Sequence, residues 1–118
     1  MELYYNEDHT KYAILVSYGY GSAWSADYGQ ALAYDKRVIE WYLQHDDEEY
    51  WKKLHNIQSQ ECEEARAFFQ QLGYEYIYFG GLRCNMIEWM PVGSIWRINE
   101  YDGAESIEMF DIDNWVHF

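Results

Sequence analysis

The chain has 118 residues, 49% hydrophobic and 20% aromatic, and a formal net charge of −13 from 21 acidic and 8 basic residues. That length suits one domain, residues 1–118, with a core that needs no staples. The charge excludes nucleic acid and an anionic membrane as direct partners, since both are polyanions, and leaves either a basic partner or a purely solubilising role.

Thirteen Tyr and six Trp either fill the core or furnish a binding surface, because these rings bury area at low entropic cost and keep a polar handle. Cys62 and Cys84 lack metal-ligand spacing and read as free thiols of a reducing compartment. The reading expects no leader and no membrane-spanning run.

In chain order, Met1 to Thr10 reads as an irregular lead-in. Lys11 to Tyr18 alternates Tyr12, Ile14, Val16 and Tyr18 with Ala13 and Leu15. Apolar residues on both faces predict a central strand. Gly19-Tyr20-Gly21-Ser22-Ala23-Trp24-Ser25 ends it. Trp24 stands where a dinucleotide fingerprint needs its third glycine, and the Gly-Lys-Ser/Thr of a phosphate loop is absent. Two readings remain: the loop presents Tyr20 and Trp24 to a ligand or partner, or it is a glycine turn whose Trp24 caps the core.

Asp35 is an N-cap for a helix over 36–44 with Val38, Ile39, Tyr42 and Leu43 as its apolar face. Asp46, with Glu49 three residues on, predicts the start of a second helix whose apolar side is Tyr50, Trp51 and Leu54. The acids Asp47, Glu48 and Glu49 suit its positive end. Ser59 caps a third helix carrying Cys62, Ala65, Phe69 and Leu72, and Gly73 ends it. Tyr74 to Phe79 reads as a strand, and Gly80-Gly81 turns the chain.

The segment from Cys84 to Phe110 reads as a double hairpin. Asp102-Gly103 between alternating runs is a strong two-residue turn signal, since both positions need φ > 0. It sets Tyr101 opposite Ala104, Ile98 opposite Ile107, Arg97 opposite Glu108 and Trp96 opposite Met109. The loop Pro91-Val92-Gly93-Ser94 predicts a second pairing of Trp89 with Trp96, Ile87 with Ile98 and Glu88 with Arg97. Both turns agree on a buried face of Ile87, Trp89, Trp96, Ile98, Ile107 and Met109, backed by a Glu88–Arg97–Glu108 charge row. The last eight residues, Asp111 to Phe118, read as a docked tail. The expected fold is α+β: a twisted, mainly antiparallel sheet of about five strands with two or three helices packed on one face.

His9, His45, His55 and His117 are scattered without ligand spacing, and no serine sits in a nucleophile-elbow pattern. The expectation is a protein that is not an enzyme and takes no metal or cofactor. One local conflict stands out: Glu100 falls opposite Glu105, and like charges opposed across a ladder are destabilising. Either they sit beyond the core in water or they mark function.

The run Tyr18-Gly19-Tyr20-Gly21-Ser22-Ala23-Trp24-Ser25 resembles a family of small, uncharacterised proteins of tailed-phage and prophage genomes. So do the helix carrying Asp35, Ile39 and Glu40, Gly80-Gly81, and Trp89-Met90-Pro91-Val92-Gly93. The longest match continues from there through Arg97-Ile98-Asn99-Glu100-Tyr101-Asp102-Gly103-Ala104-Glu105-Ser106-Ile107, a fairly specific run. Two positions depart from the pattern: Ala26-Asp27-Tyr28 holds no second tryptophan, and Ala104 replaces a usual serine. The resemblance implies a phage setting, in the host bacterial cytoplasm, and carries over no catalytic residue. By analogy with small acidic phage inhibitors, the leading expectation is an anti-CRISPR-like protein, monomeric or dimeric. It masks the basic nucleic-acid-binding surface of a host defence nuclease or its nucleic-acid-binding subunit. Its contacts are Glu100, Asp102 and Glu105, with Tyr20 and Trp24 as aromatic anchors. The alternative is a small-ligand protein that sequesters a nucleotide signal in an aromatic pocket containing Arg97.

Overall fold

The computed structural model describes residues 2–19, 24, 31–75, 77, 79 and 85–110. Their order is β1 (Lys11–Ser17), α1 (Ala31–Tyr34), α2 (Lys36–Gln44), α3 (Glu48–Leu54), α4 (Gln60–Gln71), β2 (Asn85–Pro91), β3 (Ile95–Tyr101) and β4 (Ala104–Phe110). The fold is α+β, and β1 organises it. From Tyr12 to Ser17 every residue of β1 is buried, as its two apolar faces predict. On one edge it pairs antiparallel with β2, from Lys11 against Pro91 to Ser17 against Asn85. On the other edge the Ala13 N–H donates to the Tyr4 carbonyl at 2.8 Å and Tyr5 bridges to Tyr12, which ties down the lead-in.

The two faces of β1 enter two cores. Ala13 and Leu15 pack with Val38, Ile39, Trp41, Tyr42 and Phe69 of the helices. Tyr12, Ile14 and Val16, with Met90, pack against Trp96, Ile98 and Ile107 of the β3–β4 hairpin. The arrangement is therefore layered: helices, the β1–β2 pair, then the β3–β4 pair.

Among the described residues the expected single sheet of about five strands is thus corrected to two separate two-stranded antiparallel sheets, β1–β2 and β3–β4. The turn at Pro91 to Ser94 exists: the Ser94 N–H donates to the Pro91 carbonyl at 3.1 Å and Gly93 takes φ 89°. The strands it joins do not pair. The Val92 N–H donates instead to the Thr10 carbonyl at 2.9 Å, beside the Lys11 end of the β1 ladder. Pairing β2 with β1 covers an edge of the most buried strand and leaves β3 free to lie across its face. Trp89 and Trp96 therefore do not meet. Trp89 is 43% exposed beside the Tyr4 ring, whereas Trp96 packs edge-on to Tyr34 and donates its indole N–H to the Tyr12 hydroxyl. Met109, expected inside, is exposed. Helices cover the Ile87 face, and Trp96 and Ile98 belong to the opposite core.

Local signals fare better. Asp102 and Gly103 have φ 50° and 82°, and the β3–β4 register is the predicted one, including Glu100 against Glu105. The Asp35 carboxylate accepts the Arg37 N–H, and the Ser59 hydroxyl accepts the Cys62 N–H at 3.0 Å. Gly73 takes φ 99°, and the Tyr74 N–H closes back on the Phe69 carbonyl at 2.9 Å. The second long helix starts one residue late: Asp47, in extended backbone, accepts the Glu49 N–H at 2.9 Å. On α2, Trp41 takes the buried place expected of Leu43, which is 45% exposed. Tyr74, Glu75, Ile77 and Phe79 lie in no strand. Tyr74 and Phe79 both enter the helical core, and a strand's period of two would send residues five apart to opposite faces. Tyr20, Gly80-Gly81, Cys84 and the tail from Asp111 to Phe118 lie outside the described residues. Cys62 is a buried free thiol.

Candidate functional site

The residues expected at the hairpin tip separate. Asp102 and Glu100 are exposed, and the Glu100 carboxylate accepts the Gly103 N–H, folding back over its own turn. Glu105 is 2% exposed and accepts the Ser17 N–H at 2.9 Å. Its carboxylate ties β4 to the end of β1, so it is a structural acid and not part of an open acidic row. The opposed pair is tolerated because its two carboxylates serve different backbone donors. Trp24 is 5% exposed, donates its indole N–H to the Leu32 carbonyl at 3.3 Å and meets Phe69 edge-on. It caps the helical core. Tyr20, the other expected anchor, lies outside the described residues.

Arg97 sits on the outer face of the hairpin. Its Nε–H donates to Glu108 at 2.7 Å and its guanidinium lies 5.5 Å from the Phe110 ring centroid. Asn99 also donates to Glu108, at 2.8 Å. Those two side-chain donors, Asn99 first, hold the Glu108 carboxyl below its ordinary range. Glu88, the third member of the predicted row, instead accepts the Tyr18 hydroxyl at 2.9 Å. Burial, then that hydrogen bond, pushes the Tyr18 hydroxyl up to about 12.

The densest polar arrangement lies at the start of α2. Asp35 is 1% exposed. Besides capping the helix it accepts Nε–H and Nη2–H bonds from Arg37 at 3.1 and 2.8 Å and the Tyr74 hydroxyl at 2.9 Å. Burial pushes its carboxyl up, but the bonds from Arg37, Tyr74 and the backbone outweigh it, and the group ends below its ordinary value. Burial and the Asp35 bond push the Tyr74 hydroxyl up. This clasp joins α2 to the end of α4.

Arg37 and Glu40 stand between two surface grooves. One, of about 500 Å³, is lined by Glu2, Asp35, Lys36, Arg37 and Glu40. The other, of about 480 Å³, runs between α2 and α4 and is closed at one end by His45 and Tyr50. Helical geometry builds it: Arg37, Glu40, Trp41 and Gln44 follow an i, i+3, i+4, i+7 stripe, and Glu64, Ala65, Phe68 and Leu72 form the facing stripe. Its rings form a continuous wall. Trp41 lies 6.3 Å from Phe68 with planes 16° apart, and His45 stacks on Tyr50 at 4.6 Å. A His45 Nδ1–H donates to the Trp41 carbonyl at 2.8 Å, which fixes the ring. Sequence reading missed this groove, because it treated α2 and α4 as apolar faces and left the polar stripe beside each unread.

A smaller polar feature lies deeper. The Asn85 amide and the Trp51 indole N–H are buried with no hydrogen-bond partner among the described residues. Both adjoin Tyr42, which stacks on Trp51 at 6.0 Å and donates its hydroxyl to the Asn85 carbonyl at 3.1 Å. Buried water is the ordinary partner for such groups.

Among the described residues no group of three His, Cys, Asp or Glu is placed to hold a metal ion, and no helix is long and apolar enough to cross a membrane. No family model, curated protein or solved structure matches the chain.

Proposed function

We propose that this chain is a non-enzymatic acidic inhibitor that covers the basic nucleic-acid-binding surface of a host defence protein, in the phage setting that its sequence resemblance implies. The supporting observation is the net charge of −13 together with the placement of four of the eight cations, each turned onto an acid of the chain itself. Arg37 is turned onto Asp35 at 2.8 Å, Arg97 onto Glu108 at 2.7 Å, Lys36 onto Glu2 at 3.4 Å and Lys52 onto Glu49 at 3.5 Å. Exposed acids such as Asp46, Asp47, Glu63, Glu100 and Asp102 then set the outward field. A field of one sign speeds association with an oppositely charged surface. The small-ligand alternative needs a pocket containing Arg97, and Arg97 is exposed on the outer face of the hairpin and paired with Glu108.

The test is affinity capture from defence-bearing bacteria, followed by a nuclease assay on the captured partner. Nucleic acid competes with the chain, the on-rate falls as salt rises, and Glu100→Gln with Asp102→Asn weakens inhibition while keeping the turn. Glu105 is left intact because its carboxylate supports the fold. A captured complex indifferent to both salt and nucleic acid would refute the proposal.

A further inference from the structure

The groove between α2 and α4 has a composition that selects its occupant, and we infer that it receives an arginine side chain from a basic protein partner. This rests on the reading of the chain as a binder of basic surfaces and adds where one side chain of that surface goes. The floor is aromatic: the half-buried rings of Phe68 and Tyr50 line a cleft of about 480 Å³, and the buried Trp41 ring packs against both. The lips are carboxylates from different helices, Glu40 on α2 and Glu64 on α4. A cation over ring faces is held by the ring quadrupole, and a planar guanidinium, more weakly hydrated than an ammonium, also stacks on them.

Arg37, which lines this groove, does not oppose such an occupant. Arg37 is held by two hydrogen bonds on Asp35, so a carboxylate offsets its charge. Among the described residues neither lip is held by a short ion pair. Glu40 lies 3.9 Å from Lys36, and Glu64 accepts a neutral Gln60 amide at 2.9 Å. Burial, opposed by a hydrogen bond from Trp41 and helped by the charges of Glu64 and Glu61, raises the Tyr50 hydroxyl above its ordinary value. An anion entering here would meet both lip carboxylates. A neutral apolar group would have to desolvate them without compensation.

The experiment titrates the full chain with a short unstructured arginine-containing peptide. Its controls are the same peptide with citrulline or lysine, read by the indole resonance of Trp41 and by affinity at low salt. The arginine peptide shifts Trp41, the citrulline peptide does not, and the lysine peptide binds several-fold more weakly. Glu40→Gln with Glu64→Gln weakens arginine binding about tenfold at an unchanged melting temperature, since both carboxylates are on the surface. Phe68→Leu keeps apolar bulk, removes a ring and weakens it about threefold. If the peptide binds but shifts only Glu100, Asp102 and their neighbours, and the glutamine pair leaves affinity unchanged, the groove is refuted while the acidic-binder reading stands. Equal binding of the citrulline peptide refutes the charge recognition. No binding at low salt overturns both readings.

Discussion

Replacing Glu105 tests whether the layers are joined as described. Its carboxylate is 2% exposed and accepts the Ser17 N–H at 2.9 Å, across the junction of β4 and the end of β1. Ser17 is itself fully buried. Glu105→Ala removes a charged acceptor and leaves a donor that water does not reach, a loss of about 3 kcal/mol. With an unfolding entropy of about 2.1 cal/mol/K per residue, a chain of this length changes melting temperature by about 4 °C per kcal/mol, so the midpoint falls by about 12 °C. Glu105→Gln keeps an oxygen in place, removes a buried charge and relieves the opposition to Glu100, so its cost stays below about 1 kcal/mol. Calorimetry of the wild type, both variants and Glu100→Gln measures this directly. If Glu105→Ala melts within about 2 °C of wild type, or Glu105→Gln is as damaged as the alanine variant, the carboxylate does not join β4 to β1.

Asp35→Asn costs about 2 kcal/mol near neutral pH through its cap and its charged bonds. Because the folded carboxyl lies below its ordinary 3.8, that stability is present above 3.8 and disappears as pH falls through the lower folded value, so the two melting curves converge in acid. Burial, then the charge of Asp46, pushes the Tyr42 hydroxyl up to about 12 from 10.0. Its contribution is therefore complete below 10 and lost as pH rises towards 12, and Tyr42→Phe flattens that alkaline loss in melting temperature. Trp96→Ala costs about 3 kcal/mol, because the ring holds the hairpin against Tyr12 and Tyr34. Trp89→Ala costs about 1 kcal/mol from its more exposed position, and equal losses in denaturant melts would restore the single-face reading of the two tryptophans.

What the sequence made legible was local. Asp102-Gly103 determines its hairpin because only a narrow set of residues accepts φ > 0 twice in succession. Asp35, Ser59 and Gly73 mark helix ends because the orphan groups there have few nearby partners. The partner of β2 was not legible. Turn chemistry at Pro91 to Ser94 shows that the chain reverses, but not that the strands on either side share a ladder. β1, some seventy residues upstream, offered β2 an edge beside the most buried strand. The register of Glu105 was readable, and so was its place on the inward face. Its role was not, because its donor, Ser17, lies 88 residues away. The α2–α4 groove left a trace in the Arg37, Glu40, Trp41, Gln44 stripe, a mixed set beside an apolar one. Only the tertiary packing places Glu64 and Phe68 opposite it.

The same division of acids makes salt act on the free protein and on its complex in opposite directions. Asp35 and Glu105 are buried, each bound to donors at close range, so added ions barely reach them. The exposed acids repel one another at a net charge of −13, which destabilises the folded state of the free chain. Between about 0.01 M and 0.1 M ionic strength the Debye length shrinks from about 30 to about 10 Å. That screens the many repulsions between separated acids more than the contact pairs Arg97–Glu108 and Arg37–Asp35, at 2.7 and 2.8 Å. The surface ion pairs that salt also weakens are each worth about 0–1 kcal/mol, too little to reverse the sign. The melting temperature of the free chain therefore rises over this range, while its affinity for a basic partner falls over the same range. A melting temperature that falls with salt would mean that the exposed acids are already compensated by the chain's own cations. The outward negative field, on which both the partner proposal and the arginine groove depend, would then be absent.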